Sequence, residues 1–64
     1  MWKIKHLLDE NEKITELKSD IDLIDFVKKI IKENQDFDYS VLGISDAEEY
    51  IELYCGNLEI IEED

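Results

Sequence analysis

Trp2, Ile4, His6 and Leu8 alternate with Lys3 and Lys5 at the start of the chain. A period of two puts the first set on one face of a strand, so residues 2–8 predict a strand with an apolar side. The polar run Asp9-Glu10-Asn11-Glu12 interrupts it. Lys13-Ile14-Thr15-Glu16-Leu17-Lys18 can then return as the second strand of a hairpin. The same stretch carries a rival pattern. Ile14, Leu17, Ile21 and Ile24 are spaced three, four and three, the seam of one helix running over residues 10–33. Ser19 favours the hairpin, because it reads as a new helix start with Asp22 in the capping-box position.

The helix expected from about 20 to 33 is the clearest element. Leu23, Ile24, Val27, Ile30 and Ile31 form its apolar stripe. Asp20, Asp22 and Asp25 lie near its start and Lys28, Lys29 and Lys32 near its end, which suits the helix dipole. Asn34 is placed to supply the left-handed residue that ends it. After the connector Gln35-Asp36-Phe37-Asp38, residues 39–44 read as a short strand. Ser45-Asp46-Ala47-Glu48 is a capping box. The helix it opens carries Ala47, Tyr50, Ile51 and Tyr54 on one face and Glu48, Glu49 and Glu52 towards the other. Gly56 falls where a C′ glycine belongs, residues 58–61 read as a last strand, and Glu62-Glu63-Asp64 as a frayed end. The expected fold class is α+β: a small mixed sheet of about four short strands in ββαβαβ order, with two helices packed on one face. Its last three elements would form a β-α-β unit.

Length bounds this organisation. Residues 1–64 make a single small acidic domain. A domain of that size buries only about 60% of the surface its unfolded chain exposes, so a partner subunit, such as a second copy in a homodimer, would help it. The lone Cys55 excludes an internal disulfide. With an N-terminus that lacks a long apolar run, it fits a reducing cytoplasm. No stretch approaches the roughly 20 apolar residues of a membrane span. Apolar residues make up 44% of the chain, enough to build a core rather than a disordered acidic tail. The bias towards Ile, Lys, Glu, Asp and Asn, without Arg or Pro, is what A·T-rich codons give and suggests a low-GC bacterium or its phage.

Charge changes the picture most. Residues 1–32 hold seven acids and seven lysines, and residues 33–64 hold eleven acids and no base. The whole formal charge of −11 therefore belongs to the second half. Direct nucleic-acid binding is excluded on this ground, because such a charge repels phosphate.

Candidates for chemistry are few. His6 is the only histidine, with no second imidazole or cysteine pair to complete a metal site, and reads as a half-buried strand residue. Cys55 lies in the acidic half at a helix C-terminus, the wrong setting for a reactive thiolate. The Asp20-x-Asp22 and Asp36-x-Asp38 pairs lack the further oxygens, central glycine and closing glutamate of a calcium loop. There is no glycine-rich phosphate loop. The chain reads as a non-enzyme with no cofactor and no metal.

The acidic face remains. Glu48 and Glu52 stand four apart on a helix, about 5–6 Å between Cβ atoms, where like charges cost a few tenths of a kcal/mol. Folding gives no reason to choose that arrangement, and binding does. Asp36, Asp38, Asp46, Glu48, Glu49 and Glu52, with Tyr50 and Tyr54 as anchors, are the expected contacts with a basic protein. Such a surface can stand in for nucleic-acid phosphates and block a nucleic-acid-handling enzyme. Phage-encoded anti-defence proteins and DNA mimics are similar in size and charge, a likeness that no motif carries. The alternatives are an immunity or antitoxin-type protein that neutralises a toxin, using the same electrostatic steering, and a homo-oligomeric regulatory protein built on the Ile14/Leu17/Ile21/Ile24 seam.

Overall fold

The computed structural model describes residues 1–64. Three strands and two helices follow one another as β1 (Trp2–His6), β2 (Ile14–Leu17), α1 (Asp20–Asn34), α2 (Ile44–Tyr54) and β3 (Leu58–Glu62). The class is α+β, but the sheet has three strands in the order β2-β1-β3 and every pairing is antiparallel. The expected fourth strand, the mixed sheet and the β-α-β unit are therefore corrected to ββααβ.

The hairpin holds, and the single long helix over residues 10–33 does not form. In β1 the period of two buries Trp2 and Ile4 and leaves Lys3 and Lys5 on the outer face. The hairpin turn begins before Leu8. The Asp9 N–H donates to the His6 carbonyl at 3.3 Å, and the Asp9 carboxylate accepts from the Asn11 N–H at 2.8 Å. Glu12 takes the left-handed conformation that closes the turn, at φ 52°. Leu8, expected on the inner face, is consequently exposed.

In α1, Ser19 caps the first turn by accepting from the Asp22 N–H at 3.3 Å. Leu23, Val27 and Ile31, each four apart, form its buried stripe. The left-handed residue at its end is Gln35, at φ 59°, rather than Asn34. Gln35 donates to the Lys32 carbonyl and Asp36 to the Ile31 carbonyl, the paired bonds of a Schellman end.

Residues 39–44 are the main correction. Tyr39 and Val41 do point inward, as a strand would place them, with Val41 in the core. Their backbone joins no sheet, which consists of β2, β1 and β3 alone. The segment is a loop anchored by alternate side chains, and Ile44 already belongs to α2. The capping box is displaced too. Gly43, in extended backbone, is the N-cap and offers no side chain, while Asp46 reaches back to accept the Leu42 N–H at 2.8 Å. Ser45 is left exposed inside the first turn. At the other end the cap is Cys55, and Gly56 follows without a left-handed backbone.

β3 then pairs with β1 so that Leu58 faces His6 and Ile60 faces Ile4 on the core side, with Glu59 opposite Lys5 and Glu62 opposite Lys3 on the other. A register shift between Lys3 and Ile4 leaves Ile61 as the extra residue of a bulge. The expected frayed end is shorter than the sequence implied, since Glu62 is in the strand and Asp64 meets the Met1 amine at 3.0 Å. Both helices and the inner face of the sheet share one core of eleven buried residues, none of them charged. No helix is long and apolar enough to cross a membrane.

Candidate functional site

Antiparallel pairing redistributes the charge. Of the eleven acids in the base-free half, Glu62 lies 3.9 Å from the Lys3 ammonium, Asp64 meets the N-terminal amine, and Glu59 is the cross-strand neighbour of Lys5. These exposed contacts are each worth about 0–1 kcal/mol. Their effect is to offset the acids of β3. The uncompensated acids are Glu33 at the end of α1, those of the connector and α2, and Glu63, none of which forms an ion pair.

α2 sorts its acids onto two flanks. Glu48, with Glu52 one turn on, lies towards Asp20 at the start of α1 and Glu63 beyond β3. Partial burial, with Glu63, Glu52 and Asp20 adding, pushes the Glu48 carboxyl above the usual range. Asp20 itself accepts the Trp2 indole N–H at 2.8 Å, which ties this flank to the core. Asp46 and Glu49 lie on the other flank, beside Tyr39. Burial first, then the charges of Glu49 and Asp46, raise the Tyr39 hydroxyl above its ordinary value. The Tyr39 hydroxyl donates to the Asp46 carbonyl at 3.2 Å.

Three tyrosines meet beneath that second flank. Tyr39 stands edge-on to Tyr50 and Tyr54, with centroids 5.0 and 5.4 Å away. Tyr50 and Tyr54 are tilted by 30° at 5.4 Å. Tyr50 is 0% exposed, so it is a core residue and not the surface anchor that the sequence suggested. Its hydroxyl donates to Asp36 Oδ2 at 2.6 Å and accepts from the Asn34 amide at 3.4 Å. Burial, and then the bond to Asp36, push its ionisation up. Tyr54 is 59% exposed and free to meet a partner.

Between α2 and the connector lies a cleft of ≈ 300 Å³, walled by residues 35–39 on one side and by Tyr50 and Tyr54 on the other. The structure thus brings together Asp36, Asp38, Tyr50 and Tyr54 of the expected set, places Asp46 and Glu49 nearby through Tyr39, and sets Glu48 and Glu52 apart on the other flank. Phe37 and Tyr39 line the same cleft and were not foreseen as site residues. Their signal was the aromatic spacing 37, 39, 50 and 54, which the strand reading of 39–44 hid. No basic residue lines the cleft.

His6 is half-buried, its Nε2 2.8 Å from the Thr15 hydroxyl. Cys55 is buried, and burial followed by the charge of Asp36 raises its thiol, which lowers its nucleophilicity at neutral pH. No three His, Cys, Asp or Glu side chains converge on a point that could hold an ion. Comparison with protein-family models, curated proteins and solved structures finds no match for this chain.

Proposed function

We propose that this chain is a small acidic inhibitor that binds a basic site on a nucleic-acid-handling protein, as a phage or mobile-element anti-defence protein or nucleic-acid mimic would. The observation that carries the reading is the unpaired acidic surface of the connector and α2, set around exposed Phe37 and Tyr54. Fixed carboxylates on a helix offer a phosphate-binding groove the charge it recognises. Exposed aromatic residues beside them supply the apolar anchor that charge alone lacks. The acids of β3 contribute little, because Lys3 and Lys5 stand opposite them.

A second reading, an immunity or antitoxin-type protein, draws on the exposed apolar residues. Phe37, Leu42, Leu53 and Tyr54 are all well exposed, more than phosphate mimicry needs. Competition separates the two. The partner captured by the tagged chain is challenged with duplex DNA and with rising salt. Duplex DNA displaces a mimic and leaves a toxin held outside its nucleic-acid site in place, while rising salt weakens both. Glu49→Lys with Glu52→Lys should abolish capture in either case. Unchanged capture by that variant would remove the acidic surface from the interaction and the proposal with it.

A further inference from the structure

We infer that the cleft between the 35–39 connector and α2 receives an arginine side chain of the partner protein, an inference that rests on the reading above and names its central contact. The cleft has the two features that a guanidinium uses, ring faces and carboxylates. Tyr54 is held by Tyr39 and Tyr50 on one side and is open to solvent on the other. Phe37, 73% exposed, lines the same cleft. A cation within about 6 Å of such a ring centroid is attracted to its face.

The carboxylates come from the same short segment. Asp36 Oδ2 accepts from the Tyr50 hydroxyl at 2.6 Å, which fixes the carboxylate while its other oxygen stays unpaired. Asp38 has no hydrogen-bond or ion-pair partner and is exposed beside it. The Lys29 side chain lines a different groove that shares only Tyr54 with this one, and no basic residue lines the cleft. The surrounding field is negative as well, as Glu49 and Asp46 act on the Tyr39 hydroxyl.

Size and shape narrow the occupant. A volume of ≈ 300 Å³ is at the bottom of the roughly 300–1,000 Å³ range of ligand pockets, which suits one long side chain. Arginine fits better than lysine. Its planar group stacks on an aromatic face and forks to a carboxylate at once, while an ammonium is a compact, strongly hydrated point charge. A bound metal is the poorer match, because no third ligand converges there.

The test is an NMR titration of the isotope-labelled chain with a short arginine-rich peptide, and with lysine-rich and citrulline-rich peptides of equal length. The arginine peptide should shift the amide signals of residues 35–39 and Tyr54 saturably and bind several-fold more tightly than the lysine peptide. The citrulline peptide should leave them in place. Tyr54→Ala and Asp38→Asn, both at exposed positions, should each weaken arginine binding about two- to fivefold, and Glu62→Gln on the far sheet should not. Equal binding of both cationic peptides, with shifts confined to Glu49 and Glu52, would overturn the arginine site and leave the acidic-inhibitor reading standing. Shifts of 35–39 that survive both Tyr54→Ala and Asp38→Asn would overturn it too. Failure of the acidic-inhibitor reading would show separately, as partner capture that is indifferent to Glu49→Lys and Glu52→Lys.

Discussion

Glu48 is the acid whose surroundings most oppose its charge. It is half-buried on α2, with Glu52 one turn on, Asp20 across on α1 and Glu63 beyond β3. Its carboxyl is raised in the fold and ordinary in the unfolded chain, so the folded state takes up the proton first. Stability therefore rises as pH falls through the folded value, and the penalty is gone below the ordinary glutamate value of about 4.3. Glu48→Gln should be the more stable protein at pH 7, by a few tenths of a kcal/mol for each like-charge contact removed. The gap between the two should close as pH falls towards 4. Denaturant titrations at a series of pH values measure it, and a gap that does not change with pH would disprove the assignment. Gln35 offers a second residue-scale test. Left-handed backbone costs a non-glycine residue roughly 1–2 kcal/mol, partly offset by the greater entropy that glycine loses on folding. Gln35→Gly should accordingly raise the unfolding free energy by up to about 1 kcal/mol, while Asn34→Gly, inside the helix, should lower it.

At the scale of elements, the start of α2 separates two accounts of one sequence. If Ser45 capped the helix, Ser45→Ala would cost about 1 kcal/mol. Asp46 makes the contact instead, reaching back to the Leu42 N–H. Asp46→Ala should therefore cost about 0.5–1.5 kcal/mol, the net worth of one hydrogen bond, and Ser45→Ala almost nothing, as equilibrium unfolding of the two variants will read. The box was legible and its register was not, because Gly43 can take the cap position without a side chain. The same division runs through the chain. The hairpin and α1 were legible because period two and period four each bury a full set: Trp2 and Ile4 in one, Leu23, Val27 and Ile31 in the other. The 39–44 segment was not. Two inward residues at Tyr39 and Val41 are equally what a strand or an anchored loop requires, and only backbone pairing, which this segment lacks, decides between them. The acids of the candidate site were legible as charge. Their division into two flanks depends on which side of α2 faces α1, and the buried Tyr50 finds its hydroxyl partner, Asp36, on the connector after α1. Neither contact has a local signature.

For the whole molecule, salt should act on folding and on binding in opposite directions. The Cα framework measures 32 × 23 × 16 Å. At 0.01 M salt the screening length is about 30 Å, so every charge feels every other, whereas at 1 M it is about 3 Å and only neighbours interact. A formal charge of −11 confined to that volume repels itself. The two ion pairs, both exposed, offset little of it. The urea midpoint should therefore rise from low to high sodium chloride, while affinity for a basic partner falls over the same range. Charge reversal at Glu49 and Glu52 sharpens the distinction. Each substitution adds two charges, taking the chain from −11 to −7. The doubly reversed protein should be more stable than the parent at low salt and less sensitive to added salt, yet it should not bind. Loss of binding then cannot be ascribed to loss of fold, because the fold has been strengthened by the same change. A doubly reversed chain that was destabilised at low salt would mean that those glutamates are held by contacts other than the repulsion described, and its failure to bind would say nothing about charge.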